Sequence, residues 1–167
     1  MIPKELLLAK ELIYNPCGFV CSEPLAEKES KEYQAHTFSL NKHIICYRLA
    51  KITPTKTGQF VTLWKRSPDG PIAPFHIEDK IDFFIISCRK ENNFGQFVFP
   101  KTVLQHKAIL SDNFKEGKRA IRVYPPWDLD LNKQAQKTQQ WQQDYFIEIS
   151  EDKPINIELT QKCFVVE

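Results

Sequence analysis

Two blocks of the chain gather positive charge beside aromatic rings, a combination that can grip phosphates and stack bases. The first, YRLAKITPTKTGQFVTLWKR at 47–66, holds Arg48, Lys51, Lys56, Lys65 and Arg66 with no acid between them, and Tyr47, Phe60 and Trp64 beside them. The second, GKRAIRVYPPWD at 117–128, holds Lys118, Arg119 and Arg122 and runs into Tyr124 and Trp127. Such cations contact the phosphate backbone whatever the base, and a ring stacked on a base contributes roughly 1–3 kcal/mol without reading sequence. Trp127 is a platform if exposed and core if buried. A Gln-rich helix could lay Gln134, Lys137, Gln140 and Trp141 along the same groove. The competing reading of the basic blocks is a solvated surface whose Lys and Arg only keep the protein dispersed.

The elements that must position these residues follow from periodicity and punctuation. Pro3 and KELLLAKELIY predict a first helix, with Ile2, Leu6, Ala9 and Ile13 at helical spacing, ended by Asn15, Pro16 and Gly18. SEPLAEKESKE is either a short exposed helix capped by Ser22 or a connector. Strands are expected at Gln34–Leu40 and His43–Lys51 around an Asn41 turn, and at Gln59–Arg66. In that reading HIICYRLA, the TPTKTG turn and QFVTLWKR make one hairpin, with Phe60, Thr62 and Trp64 on one face and Val61, Leu63 and Lys65 on the other. IDFFIISC after Asp79 is continuously apolar, as a strand buried on both faces requires, and Gln96–Phe99 is its partner across an Asn-Gly loop. Pro100 opens a helix to about Ala108, Arg119–Tyr124 is a strand stopped by two prolines, and a helix from Asp128 or Asp130 as cap carries Leu131, Ala135, Trp141 and Tyr145 on its packed face. The fold class is therefore α/β (α+β), a mixed central sheet flanked by helices. One domain spans 1–167: a helical lead-in at 1–32, a core at 33–146, and C-terminal edge strands at 147–167.

Composition is that of an ordinary globular chain, with 42% apolar and 26% charged residues. Net charge is only +2, but it is unevenly spread: residues 100–124 hold six cations against Asp112 and Glu116, while 144–167 hold six acids against Lys153 and Lys162. A basic middle with an acidic tail fits a localised polyanion site. Five scattered cysteines, with Cys46 and Cys88 inside apolar strands, fit a reducing compartment and no zinc spacing. No apolar run reaches the roughly 18 residues of a membrane span, and the histidines lack the pairing of a metal helix. A soluble cytoplasmic protein without a nucleotide cofactor is expected.

AKITPTKTGQFVTLWKR, GQFVFPK at 95–101, GKRAIRVYPPWD and the Gln-rich run ending in Trp141 resemble, in the same order, the MepB-like proteins, from about Tyr33 to Phe146. The resemblance implies a small bacterial cytoplasmic protein from a family named after a multidrug-efflux operon, with a nuclease-like core that binds nucleic acid. Restriction-endonuclease-like cores place an Asp on one strand and an acid-x-Lys trio on its neighbour. The acids hold Mg²⁺, and the Lys assists the attacking water. Asp82 and Lys101 match that layout, yet Phe99 stands where the second acid belongs, with Gln96 nearby as a weak neutral ligand and Glu78 or Asp79 as substitute acids.

The expectation is a nucleic-acid binder, of DNA and in one form single-stranded DNA, on a restriction-endonuclease-like scaffold without hydrolytic activity and without a cofactor. Its phosphate contacts are assigned to Lys51, Lys56, Lys65, Arg66, Lys101, Lys118, Arg119, Arg122 and Lys137, and its stacking to Tyr124 and Trp127. One alternative is a Mg²⁺-dependent nuclease using Asp82 and Lys101. The other is a partner- or ligand-sensing protein whose basic groove receives an acidic protein.

Overall fold

The computed structural model describes residues 1–165 and is built on one strand pair buried over most of its length. β8 and β9 below form that pair; in chain order the elements are α1 (Lys4–Ala9), β1 (Leu25–Ala26), β2 (His36–Leu40), β3 (His43–Leu49), β4 (Lys51–Ile52), β5 (Gln59–Thr62), β6 (Trp64–Arg66), β7 (Ile72–Pro74), β8 (Phe83–Lys90), β9 (Asn93–Pro100), α2 (Lys101–His106), β10 (Ala120–Val123), α3 (Lys133–Gln142), β11 (Phe146–Glu148) and α4 (Ile157–Lys162). The main sheet has the order β1-β2-β3-β8-β9-β11. β3 and β8 run parallel, with Ile45 opposite Phe83, and the other neighbours are antiparallel, so the sheet is mixed.

Alternation along β8 divides the core. Phe83 and Ile85 face a layer formed by α1, its wider continuation Lys10–Tyr14, Phe38, Tyr47 and Phe164. Phe84, Ile86 and Cys88 face a second layer with Val61, Leu63, Leu104, Ile121 and Val123. Burial on both faces is why IDFFIISC reads as an unbroken apolar run. The first layer also holds a closed polar chain: the Tyr14 hydroxyl donates to Gln96 Oε1 at 2.7 Å, Gln96 Nε2 donates to Ser87 Oγ at 3.1 Å, and the Tyr47 hydroxyl donates to the same Oγ at 2.8 Å. Burial raises both phenols, so they remain neutral donors.

A parallel pair needs a long crossover, usually a helix. Here it is made of strands. β4 and β5 leave the main sheet and form a second sheet, order β10-β5-β4, while β6 and β7 pair beside it. The expected single hairpin is thus corrected: HIICYRL belongs to the main sheet, and the turn joins only Lys51–Ile52 to Gln59–Thr62. The long third strand is also broken at Leu63, whose N–H donates to the Arg119 carbonyl at 2.8 Å while its buried side chain enters the core.

Three further expectations change. SEPLAEKESKE forms neither a helix nor a free connector, because Ser22 exchanges hydrogen bonds with Ser39 and β1 adds to the edge of β2. The cap of α3 is Asn132, whose Oδ1 accepts the Ala135 N–H at 2.8 Å; the prolines and turn at 125–131 keep Asp128 and Asp130 outside the helix. The C-terminal edge strands at 147–167 reduce to β11; Asn156 then caps α4, which packs Phe164 into the first layer, and residues 166–167 lie outside the described residues. No described helix is long and apolar enough to cross a membrane.

Arg48 is 2% exposed and ion-paired with Glu27, the residue directly after the edge strand β1. Removing one partner strands a charge in the interior. Glu27→Ala is expected to cost about 3 kcal/mol, the low end of that range because Glu27 is partly exposed, whereas Arg48→Met with Glu27→Ala should recover much of the loss. Urea unfolding of the two variants checks this; equal stabilities would refute it.

Candidate nucleic-acid interface

The two basic blocks meet because β10 pairs antiparallel with β5. Arg122 stands opposite Phe60, and Phe60 is opposite Lys51 in turn. Directly opposed residues share a face. Lys51, Phe60 and Arg122 therefore form one row across the outer side of the small sheet. The Arg122 guanidinium lies 5.8 Å over the Phe60 ring, donates to Thr53 Oγ1 at 2.8 Å and reaches the Thr57 carbonyl at 3.3 Å. Lys51 Nζ sits 5.1 Å over Tyr33.

Between β10 and α3 runs a cleft of about 390 Å³. Its cations are Lys107, Lys118 and Arg122, its rings are Tyr124 and Trp141, its amides are Asn132, Gln134 and Gln142, and no acid lines it. Past Arg122, Tyr124 and Asn132 it continues into a depression walled by Thr55, Lys56 and Thr57, with Asp130 as its one acid. Lys107 is held 5.3 Å over Trp141, itself 5.5 Å from Phe99, so the indole supports an ammonium. Tyr124 rests on the turn at Gly58, where φ is +83° and a Cβ would lie 2.6 Å from the ring.

Gln142 creates this cleft. The residue is 1% exposed; its Oε1 accepts the Tyr124 N–H at 2.9 Å and its Nε2 donates to the Arg122 carbonyl at 3.0 Å. One amide thus completes the edge of β10 as a neighbouring strand would. Gln139 adds bonds to the Pro125 and Asp128 carbonyls. The Gln-rich run is therefore two populations, with Gln139 and Gln142 tying down the 122–128 segment and Gln134, Gln136, Gln140 and Gln143 exposed.

The assigned phosphate contacts separate in the same way. Lys65 pairs with Asp79 at 2.6 Å, Arg66 with Glu29 at 2.7 Å, and Arg119 with Glu116 at 3.0 Å. The first block lacks acids of its own, but Glu27, Glu29 and Asp79 are supplied from other segments. Lys137 stands exposed on α3 outside the cleft lining. Lys118, Arg122 and Tyr124 converge on the cleft, Lys56 lies in its continuation, and Lys107 and Asn132 join them. Lys107 had no signal beyond its charge. Trp127 is half-buried, packed edge-on at 5.7 Å against Phe146 at the rim of the second layer and outside the cleft lining.

Asp82 and Lys101 do fall on adjacent chain ends, with the Lys101 N–H 3.2 Å from the Asp82 carbonyl. The donor set does not fit Mg²⁺, however. Asp82 Oδ2 accepts the Ile44 N–H at 2.8 Å, and Phe99 is fully buried. Gln96 is committed to the Tyr14–Ser87 chain. Asp79 gives one oxygen to Lys65 and the other to the His76 N–H, leaving Glu78 as the exposed acid of the group. Among the described residues no three His, Cys, Asp or Glu side chains gather as a metal site.

A family model described as MepB-like matches residues 27–148. No curated protein matches the chain. The crystal structure of MepB is similar at 37% identity, covering 87% of this chain and 97% of that one, with a TM-score of 0.77. A bacterial homing endonuclease is similar at 14% identity over 82% of this chain and 85% of its own, with a TM-score of 0.47.

Two outcomes follow from the geometry. Gln142→Ala orphans two backbone groups and should destabilise by about 1–3 kcal/mol for each one left unsatisfied, read as a lowered urea midpoint. Asp128 is buried with Oδ2 unpartnered, and burial pushes its carboxyl up, with Lys90 pulling it weakly down. A raised folded-state value means that ionisation costs stability above it, and the cost disappears as pH falls below the unfolded value. Asp128→Asn should therefore melt above the unsubstituted protein near ~pH 7, with the gap closing toward about pH 4. A gap that widens in acid would contradict the assignment.

Proposed function

The chain belongs to the MepB-like family, and from that premise we propose that it binds single-stranded nucleic acid, DNA in the first instance, on a restriction-endonuclease-like scaffold without hydrolysing it. The observation that carries this reading is the acid-free cleft between β10 and α3, where Lys107, Lys118 and Arg122 line one wall with Tyr124. The three cations take phosphate oxygens, the exposed amides of Asn132 and Gln134 add neutral donors, and Tyr124 offers a ring seated on Gly58. Binding of this kind is sequence-tolerant and dominated by counterion release.

The hydrolytic alternative needs Asp82 free to hold Mg²⁺ beside a second acid. One of the two Asp82 carboxylate oxygens is engaged with the Ile44 N–H, and Phe99, where the second acid would stand, cannot ligate a metal. The reading as an acidic-partner receptor uses the same cleft and is separated by the same experiment.

Fluorescence anisotropy with single- and double-stranded oligonucleotides, across a salt series, in EDTA and then Mg²⁺, tests the proposal. The expected result is salt-sensitive single-strand binding with no cleavage. Lys107→Ala/Lys118→Ala should flatten the log–log salt slope by about 1.4, two phosphate contacts at about 0.7 each. Lys65→Ala/Arg66→Ala should change it less, since Asp79 and Glu29 already neutralise those groups. Mg²⁺-dependent cleavage abolished by Asp82→Ala would install the nuclease instead. No binding at low salt would favour the protein partner.

A further inference from the structure

The chain has 12 phenylalanines, and among the described residues one stands almost wholly in solvent: Phe114 is 98% exposed. A single exposed apolar residue is ordinarily unremarkable. This one is held out. Asp112 Oδ1 accepts the N–H groups of Phe114 at 2.8 Å and Lys115 at 2.9 Å, and the Asp112 N–H closes the turn on the Lys115 carbonyl at 3.0 Å. Those bonds, the Phe114 one first, hold the Asp112 carboxyl below its usual range, so the turn keeps its ionised acceptor at neutral pH.

The loop is fixed at both roots. The Ser111 N–H donates to the Phe75 carbonyl at 2.8 Å, the Lys118 N–H donates to the Ile109 carbonyl at 2.8 Å, and Ser111 Oγ accepts the Gly117 N–H at 2.8 Å. Gly117 is packed so closely that a Cβ would lie 2.2 Å from the Ile109 carbonyl oxygen. The far root, Lys118 and Ile109, is itself part of the cleft wall. The ring is thus displayed on a braced knuckle that also carries the exposed Lys115 and Lys118, while Glu116 of the same loop is paired with Arg119 at 3.0 Å. The two lysines would repel a basic partner and attract a polyanion.

We propose that Phe114 is a stacking wedge that inserts against an unpaired base of a single strand lying in the cleft, an inference that rests on the binding function proposed above. Apolar side chains carried on basic surfaces enter base stacks in this way, and the unstacking cost is offset by the new ring contact. Bracing matters, because the backbone that carries the ring is already fixed and loses little freedom on binding.

The test uses the full chain and a short single-stranded oligonucleotide with one 2-aminopurine, moved along its length. Binding should change the emission at one or two adjacent positions. Phe114→Ala should weaken affinity about 5- to 150-fold and abolish that change, leaving the salt slope and melting temperature as before. Phe114→Trp should restore both. If Phe114→Ala binds as tightly with the same emission change, the wedge is refuted while the binding function stands. If the unsubstituted chain does not bind at all, the binding function fails and the wedge with it.

Discussion

The β8–β9 pair is covered on both faces, and every other element of the fold answers to that requirement. The two strands, Phe83–Lys90 and Asn93–Pro100, pair outward with β3 over 83–87 and with β11 over 95–97, and their apolar residues lie between two separate layers. α1 and α4 close one side. The other side is closed by α2 through Leu104, by α3 through Trp141 and by the small sheet of β4, β5 and β10. The basic cleft is a by-product of that covering, since it opens where β10, the edge of the small sheet, meets α3.

Electrostatics then decides which charges are free. Counted along the chain, the 47–66 block has the densest unopposed charge. Folded, it gives Arg48 to Glu27, Lys65 to Asp79 and Arg66 to Glu29. The cations that line the acid-free cleft come from α2's end, the loop before β10 and β10 itself. A basic sequence block and a basic surface are different objects, because acids distant in sequence can be neighbours in space.

Much of the fold was readable in advance. Strands β2, β3, β8 and β9, the helix after Pro100 and the strand before Pro125 followed from alternation, an apolar run and proline punctuation. The C-terminal helix was hidden because its apolar residues, Ile157 and Leu159, fall two apart and mimic strand alternation. The strand-built crossover was hidden because strand periodicity says nothing about which sheet a strand joins. In the site, Lys118, Arg122 and Tyr124 announced themselves through charge beside an aromatic ring. Gln142 did not, since a buried glutamine and a solvated one look alike until the edge strand it completes is known. Trp127 falls between its two sequence readings, half-buried against Phe146.

The pairing of β5 with β10 brings Thr57 and Arg122, 65 residues apart, into one hydrogen bond. Neither basic segment holds its geometry alone: the 47–66 block lacks the β10 edge and the Arg122 guanidinium, and the 117–128 block lacks β5 and the Gln142 clamp. The cleft is therefore not portable. A peptide copied from either block would keep the charge and lose the shape, and would bind polyanions only as a diffuse cation. Any selectivity this protein shows for strand geometry belongs to the assembled tertiary structure and would vanish at the same denaturant concentration as the core.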